Sequence, residues 1–402
     1  MKILMINSVC GIKSTGRICT DLAAMLEQRG HRVKIAYGRE AVPAQFEKHA
    51  VRIGTDLDVK LHGLKARLTD GSGFGSTAAT RRFINWVEEY DPDVIHLHNI
   101  HGYYINVEIL FGYLRRCGKP ILWSFYDCWS FTGHCAHFDY NQCDKWQEGC
   151  NHCGHLREYP CSYIDATAAN YKKKRKLFTG IPNLQLIVPS VWMQSMVESS
   201  YMKDYPCHVL PNGIDTAQFY PRENAVKEKL DIADKKLVLG VSSVWHDMKG
   251  LSHFNRLAQT LDQEQYRLML VGGNDKNKWI DPKILRVEHT DSIDQLCQIY
   301  TAADVFVNPT LQETQGLTTI EAFACGTPGV VFRAGGAGEC VDDTCGIAVE
   351  KDNFEGLRRA VLQICEKNPY TKEACIAKAH SYDKEVCYSA FMELYEKFDG
   401  VR

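Results

Sequence analysis

The sequence predicts an α/β protein made of two doubly wound domains. Three observations predict it. Short apolar runs that read as buried parallel strands alternate with helical segments from the amino terminus onward. The same alternation starts afresh at Leu237, beyond a Pro- and Gly-containing turn at 211–213. With 402 residues, each half is long enough to bury a core of its own.

Met1 to Asn7 is an apolar run that turns polar at once, which makes it a first strand rather than an export signal. Gly11 to Gly16 reads as a loop. Ile18, Leu22, Met25 and Leu26 recur at helical spacing before Gly30, and His31 to Tyr37 completes a βαβ opening. Residues 40–75 are less regular and receive no assignment. A helix over 77–90 leads to the strand Val94 to Asn99, where period-two alternation sets His96 and His98 on one face. His96 lies deeper and reads as a hydrogen-bonded core histidine. His98 stands at the carboxyl end, where a parallel sheet presents ligand-facing groups. The following strand, Ile121 to Phe125, ends in Tyr126-Asp127. Tyr126 offers a hydrogen-bonding tip that does not titrate near neutrality.

An insert-like segment over about 128–161 contains Cys135, Cys143, Cys150 and Cys153, flanked by Cys128 and Cys161. The Cys-x-x-Cys spacing of Cys150 and Cys153 suits a closed, structural zinc site, with His134, His137, His152 and His155 as alternative ligands. Reduced thiols packed among Trp129, Phe131, Phe138 and Trp146 are the other reading. The basic run Lys172, Lys173, Lys174, Arg175 and Lys176 suits either an anionic lipid surface or a solvated helix face. Strand Leu184 to Val188, a short helix from Val191 and strand His208 to Leu210 end the first half.

In the second half, strand Leu237 to Ser243 leads to Lys249-Gly250 and a helix. Strands follow at Leu268 to Val271 and Leu285 to His289, then a helix from Ile293 to Thr301 and a buried strand over 303–307. Gly316 opens an apolar helix (Leu317, Ile320, Phe323, Ala324) that Gly326 closes, with Pro328 beyond. Glu313 therefore sits in the strand-to-helix loop and Glu321 about a turn and a half inside the helix. Both carboxylates can face the crevice above the strand ends. The free amides of Gly316, Leu317 and Thr318 form a positive helix end suited to a diphosphate. Lys384 to Phe398 reads as a terminal helix.

Two glutamates separated by seven residues, followed by Glu321-Ala322-Phe323-Ala324-Cys325-Gly326-Thr327-Pro328, resemble the donor site of glycosyltransferase family 4. Pro211-Asn212-Gly213-Ile214-Asp215, with Phe219 and Pro221, resembles that family's interdomain signature. The resemblance covers nearly the whole chain and is densest over 208–340. It implies the GT-B fold, two Rossmann-like doubly wound domains facing a central cleft: an acceptor domain over 1–207, a donor domain over 208–383, and a terminal helix over 384–402 packing back on the first.

The resemblance also implies roles. Glu313 would lie by the transferred sugar, Glu321 on the ribose, and Lys249 with Gly316, Leu317 and Thr318 on the diphosphate. His98 and Asp127 would orient sugar and acceptor, Gly16 would touch donor phosphates or acceptor, and Tyr126 and Arg17 would face the acceptor. Four positions depart from the family pattern. Thr314-Gln315 stands where members usually carry Gly-Phe, Tyr126 where they often carry His, and Val244 where they place an Arg.

The implied activity is retaining transfer of a hexosyl group from a UDP- or GDP-sugar to a hydroxyl of a glycan or lipid-linked oligosaccharide. The setting is bacterial capsular or extracellular polysaccharide. No metal ion is required for catalysis, and zinc would be structural. The alternatives are a sugar-nucleotide epimerase or hydrolase of the same fold, and a non-catalytic binding protein that uses the cysteine cluster. A net charge of −2 argues against nucleic acid as a partner. Seventeen cysteines, no export signal and no apolar run long enough to span a bilayer give a cytoplasmic expectation, peripheral on the inner face of the membrane where the basic run docks.

Overall fold

The computed structural model describes residues 1–275 and 278–398. The chain divides into two compact units, Met1–Leu210 together with the residues from Tyr388 on, and Pro211–Cys387.

The first unit opens with β1 (Lys2–Ile6), α1 (Lys13–Gln28), β2 (Arg32–Tyr37), β3 (Ala50–Arg52), α2 (Asp56–Thr69) and α3 (Thr77–Tyr90). It continues with β4 (Val94–Leu97), α4 (Val107–Leu114), β5 (Ile121–Ser124), α5 (Thr167–Phe178), β6 (Leu184–Val188), α6 (Val191–Glu198) and β7 (Cys207–Val209). The strands pair in the order β3-β2-β1-β4-β5-β6-β7, parallel throughout. Ile3, Leu4, Met5 and Ile6 are all buried, as expected of a strand covered on both faces. The order reverses between β1 and β4, so the loops that leave these two strands flank a topological switch point.

The second unit holds α7 (Val226–Lys229), β8 (Lys236–Trp245), α8 (Leu251–Thr260), β9 (Tyr266–Asn274), β10 (Leu285–Val287) and α9 (Ile293–Ala302). Then come β11 (Val305–Asn308), α10 (Leu317–Ala324), β12 (Gly329–Arg333), β13 (Gly346–Glu350), α11 (Phe354–Lys367) and α12 (Lys372–His380). This sheet is also parallel, ordered β10-β9-β8-β11-β12-β13, with its switch point between β8 and β11. Alternation along β8 sends Val238 into one apolar cluster with Phe254 and Leu357, and Leu239 into another with Ile320 and Phe323. The helices α8 and α11 therefore cover one face and α10 the other.

Several boundaries differ from the sequence reading. The first unit runs through Leu210, because β7 pairs with β6 rather than starting the second sheet. The last helix, α13 (Lys384–Glu396), begins among second-unit residues, and from Tyr388 on it belongs to the first. Residues 399–402 of the expected terminal helix lie outside the described residues. The helix α1 begins at Lys13, so Gly16 and Arg17 are helical rather than in a loop. The stretch 40–75 contains β3 and α2. The helix α2 hid in the sequence because it buries His62 and Ala66 and turns its leucines outward.

The basic run on α5 is not one charged face. Lys174 is buried, its Nζ donating to the carbonyls of Trp129 at 2.8 Å and Thr132 at 3.2 Å, 3.5 Å from the Trp129 ring centroid. Burial draws its pKa down to about 7. Lys173 pairs with Glu108 at 2.8 Å, which leaves Lys172, Arg175 and Lys176 exposed. Among the described residues no helix is long and apolar enough to cross a membrane.

Candidate functional site

In the second unit, the predicted residues gather at the switch point. Lys249 ends a single turn after β8, and Gly250 follows at φ +80° as the residue before α8. A Cβ on Gly250 would stand 2.2 Å from the Pro309 carbonyl oxygen, so the β8 and β11 loops meet where no other residue fits. That contact brings Lys249 Nζ to 2.6 Å from Glu313 Oε2. Glu313 is further held by the Thr314 amide, which donates to Oε1 at 3.1 Å, and by the Gly336 amide, which donates to its backbone carbonyl at 2.8 Å.

Gly316, at φ +86°, caps α10 without a side chain. The amides of the first helical turn, Leu317 and Thr318, have no intrahelical acceptor and carry the positive end of the helix dipole. Glu321 lies one to two turns further on, and Tyr300 Oη donates to its Oε2 at 3.0 Å. Tyr300 is fully buried, and burial, then the Glu321 charge, raises its pKa well above the ordinary value. It stays a phenol and a donor.

The departures from the family pattern have visible consequences. Gln315 is buried and clasps Asn212: its Oε1 accepts from the Asn212 amide at 2.8 Å and from Asn212 Nδ2 at 2.9 Å, and its Nε2 donates to the Asn212 carbonyl at 2.8 Å. Val244 is exposed. Lys278 reaches the same loop by pairing with Asp247.

In the first unit, Gly16, His98, Tyr126 and Asp127 all follow strands that flank or neighbour the switch point. Gly16 is packed into the turn after β1. The Gly11 amide donates to its carbonyl at 3.2 Å, and an added Cβ would come within 3.1 Å of both Gly11 N and Val9 Cγ2. Arg17 is exposed on α1. His98 is buried just beyond β4, its Nδ1 2.8 Å from Tyr126 Oη, and burial lowers its pKa to about 3. It is therefore neutral at physiological pH. Among the described residues its Nε2 is buried without a hydrogen-bond partner, and its ring lines a small cavity with Asn99, His101 and Asp127. His96 sits one layer deeper, between Ser124 Oγ at 2.8 Å and the hydroxyl of Tyr395.

Asp127 is anchored on both oxygens. Oδ2 is 2.6 Å from His101 Nε2, and Oδ1 accepts from the Trp129 amide at 2.9 Å. Burial pushes its pKa up, but the His101 charge and hydrogen bond outweigh this, and the net shift is downward. Tyr159 Oη meets the other His101 nitrogen at 3.0 Å. Sequence reasoning missed His101, because its partnership follows from strand register. The parallel pairing of β4 with β5 joins Leu97 to Trp123, and His101 and Asp127 share the same separation of 26 residues.

The cysteine-rich segment contains no element beyond a single turn over Trp129–Phe131. After burial, the neighbouring thiols of Cys143 and Cys153 add to the upward shifts of Cys135 and Cys150. The Gly133 amide donates to Cys150 Sγ at 3.1 Å, and burial pushes Cys135 up to about 12 and Cys150 up to about 11. Among the described residues, no group of three or more His, Cys, Asp or Glu is gathered as a metal ion would require.

Comparison with known proteins adds to this geometry. The model of "Glycosyltransferase Family 4" matches residues 15–218, and that of "Glycosyl transferases group 1" matches 235–367. Escherichia coli K12 WcaC, a putative colanic acid biosynthesis glycosyl transferase, is 29% identical over 233 residues, covering 54% of this chain and 55% of that one. The Campylobacter jejuni N,N'-diacetylbacillosaminyl-diphospho-undecaprenol alpha-1,3-N-acetylgalactosaminyltransferase is 26% identical over 211 residues, covering 48% and 54%. The chain thus spans about half the length of these curated relatives. Among solved structures, sucrose-phosphate synthase from Thermosynechococcus elongatus superposes with a TM-score of 0.73 at 17% identity, covering 100% of both chains. Anabaena HepE in complex with UDP and glucose gives 0.69 at 15% identity, covering 99% of this chain and 100% of that one. The fold is that of the GT-B glycosyltransferases.

Proposed function

Because this chain belongs to glycosyltransferase family 4, we propose that it moves a sugar, with retention at the anomeric carbon, from a UDP- or GDP-linked donor to a hydroxyl of a glycan or lipid-linked oligosaccharide. The observation that carries this reading is the Lys249–Glu313 pair at the switch point of the second sheet, beside the first-turn amides of α10. The UDP and glucose in the HepE structure make UDP-glucose the first donor to test. The names of the WcaC and Campylobacter relatives support glycan assembly as the setting.

A departing nucleoside diphosphate accumulates negative charge, and fixed cations and amides aimed at it lower the barrier. In this reading Lys249 Nζ and the amides of Leu317 and Thr318 receive the diphosphate. Lys249 then exchanges Glu313 for phosphate, which turns the Glu313 carboxylate toward the sugar. Glu321, oriented by Tyr300, accepts from the ribose hydroxyls. The leaving phosphate takes the acceptor proton, so no side chain has to. A His98 held neutral by burial fits that role division, offering Nε2 to a hydroxyl rather than a charge. Asp127, held by His101, shapes this acceptor side with Tyr126. None of these steps calls for a metal ion.

The same reading includes structural zinc on Cys135, Cys143, Cys150 and Cys153. What supports it is the Cys-x-x-Cys spacing of Cys150 and Cys153 with Cys135 and Cys143 upstream in the same segment. What it requires is that they draw closer on the metal and lose their protons to it.

The test is incubation with a panel of UDP- and GDP-sugars, with and without glycan acceptors. Sugar transfer that depends on acceptor is the expected result. Conversion of the donor alone would instead make the protein an epimerase or hydrolase.

A further inference from the structure

Three loops that leave strand ends in the first unit meet around one arginine. Arg39 follows β2, and its amide donates to the carbonyl of Ser8, just beyond β1, at 3.0 Å. Its side chain lies over Gly102 in the loop after β4, where an added Cβ would stand 3.5 Å from Nη1 and 3.7 Å from Cδ. Gly102 is flanked by His101 and Tyr103. Arg39 is half-buried, yet among the described residues its guanidinium has no ion-pair or hydrogen-bond partner. Nearby carboxylates are already engaged: Glu40 pairs with Lys13, and Asp127 with His101. Partial burial strips water from such a cation without supplying an acceptor, which is unfavourable until an anion arrives.

The same loop builds the surroundings of that cation. The cavity lined by His98, Asn99, His101 and Asp127 measures about 10 Å³, room for a single hydroxyl or water. It can take the reacting hydroxyl of a sugar but not the body of one. Outside it the surface continues from His101. Tyr159 Oη meets His101 Nδ1 at 3.0 Å, and the Tyr159 and Tyr103 rings stand 6.2 Å apart, edge to face. Tyr159 is exposed and Tyr103 half-buried. Burial raises the pKa of both phenols, and the Arg39 charge opposes that rise in each. Cavity, aromatic rings and unmatched cation thus border one another on the loop after β4.

We propose that Arg39 selects an acceptor carrying an oxyanion, phosphate or carboxylate, on or next to the sugar whose hydroxyl enters the cavity. Either group offers paired oxygens to the arginine fork, which a neutral sugar does not. The Tyr103 and Tyr159 rings cover the apolar face of that sugar. That the ligand is an acceptor rests on the glycosyltransferase reading. That an oxyanion binds at Arg39 does not.

Two measurements test it, one with turnover and one without. In the first, initial rates are compared for neutral, phosphorylated and uronate-bearing forms of the acceptor glycan. The wild type should favour a charged form by about tenfold or more in KM, and Arg39→Gln should bring that ratio near one. Arg39→Lys, which keeps the charge but not the fork, should retain part of it. Preference for phosphate or for carboxylate identifies the source of the oxyanion, and either supports the proposal. In the second, calorimetry without donor compares glucose 1-phosphate, glucuronate and glucose on the wild type and on Arg39→Gln. At least one charged sugar should bind the wild type about tenfold tighter, and any binding at Lys249 is common to both proteins. If no acceptor is turned over, the glycosyltransferase reading falls and calorimetry still decides Arg39. An unchanged thermal midpoint shows that each variant folds. A neutral acceptor favoured by the wild type, the same preference in Arg39→Gln, or charged sugars bound alike by both proteins overturns the proposal.

Discussion

Lys249 Nζ and Glu313 Oε2 meet at 2.6 Å, with the two side chains 25% and 26% exposed. Such a pair keeps both charges ordered and still reachable from solvent. Lys249→Gln should lower donor affinity about ten- to hundredfold, since a hydrogen bond to a charged group is worth about 1.5–3 kcal/mol. Glu313→Gln should lower kcat more than it changes donor binding. Steady-state kinetics with equilibrium donor binding separate the two effects, and wild-type values for either variant would remove that residue from the site.

Tyr300 and Glu321 form the second pair to test. Tyr300→Phe keeps the buried ring and removes only the hydroxyl that orients Glu321 Oε2. Donor binding should weaken severalfold, consistent with a net hydrogen-bond contribution of about 1 kcal/mol. Glu321→Gln should weaken it further, with a smaller effect on kcat. If calorimetry finds donor binding unchanged in Tyr300→Phe, the hydroxyl does not position Glu321 for the ribose.

These pairs show what the sequence could and could not carry. Strand and helix alternation, the Glu313–Glu321 spacing and Lys249-Gly250 are local features, and local features survive in a one-dimensional reading. Glu313 meeting Lys249, Tyr300 meeting Glu321 and His101 meeting Asp127 depend on which strands pair. Their partners were therefore invisible until the sheet order was known. Lys174 looked like part of a charged surface because composition cannot tell a solvated lysine from one bonded to two buried carbonyls. The helix α2 escaped notice for the opposite reason: its leucines mark the outside, so the apolar period does not report a core face.

His62 makes stability depend on pH. Burial lowers its pKa to about 4, against 6.5 for the free side chain. Above pH 6.5 both folded and unfolded forms are neutral and the site carries no penalty. Between pH 6.5 and about 4 the unfolded chain binds a proton that the folded chain refuses, so stability falls with pH, by about 3 kcal/mol in total. His98, lowered to about 3, acts in the same direction. Urea midpoints measured across this window should drop for the wild type and drop less for His62→Gln. An identical slope in both would show that His62 does not hold its neutral form.

The zinc reading is checked by metal analysis of protein purified without a histidine tag. Stoichiometric zinc is expected, with loss of metal and of thermal stability in Cys150→Ser and Cys153→Ser. Metal-free protein whose stability these substitutions leave unchanged would reduce the four residues to packed thiols.

In the function proposed above, the second unit holds a nucleotide sugar through Lys249. A thermal-shift panel of UDP- and GDP-sugars on the wild type and on Lys249→Gln tests it most directly, because a ligand that binds the folded state raises the melting temperature. One class of nucleotide sugar should raise the wild-type midpoint and leave that of Lys249→Gln nearly unmoved at the same concentration. No shift with any nucleotide sugar, or an equal shift in both proteins, would contradict it.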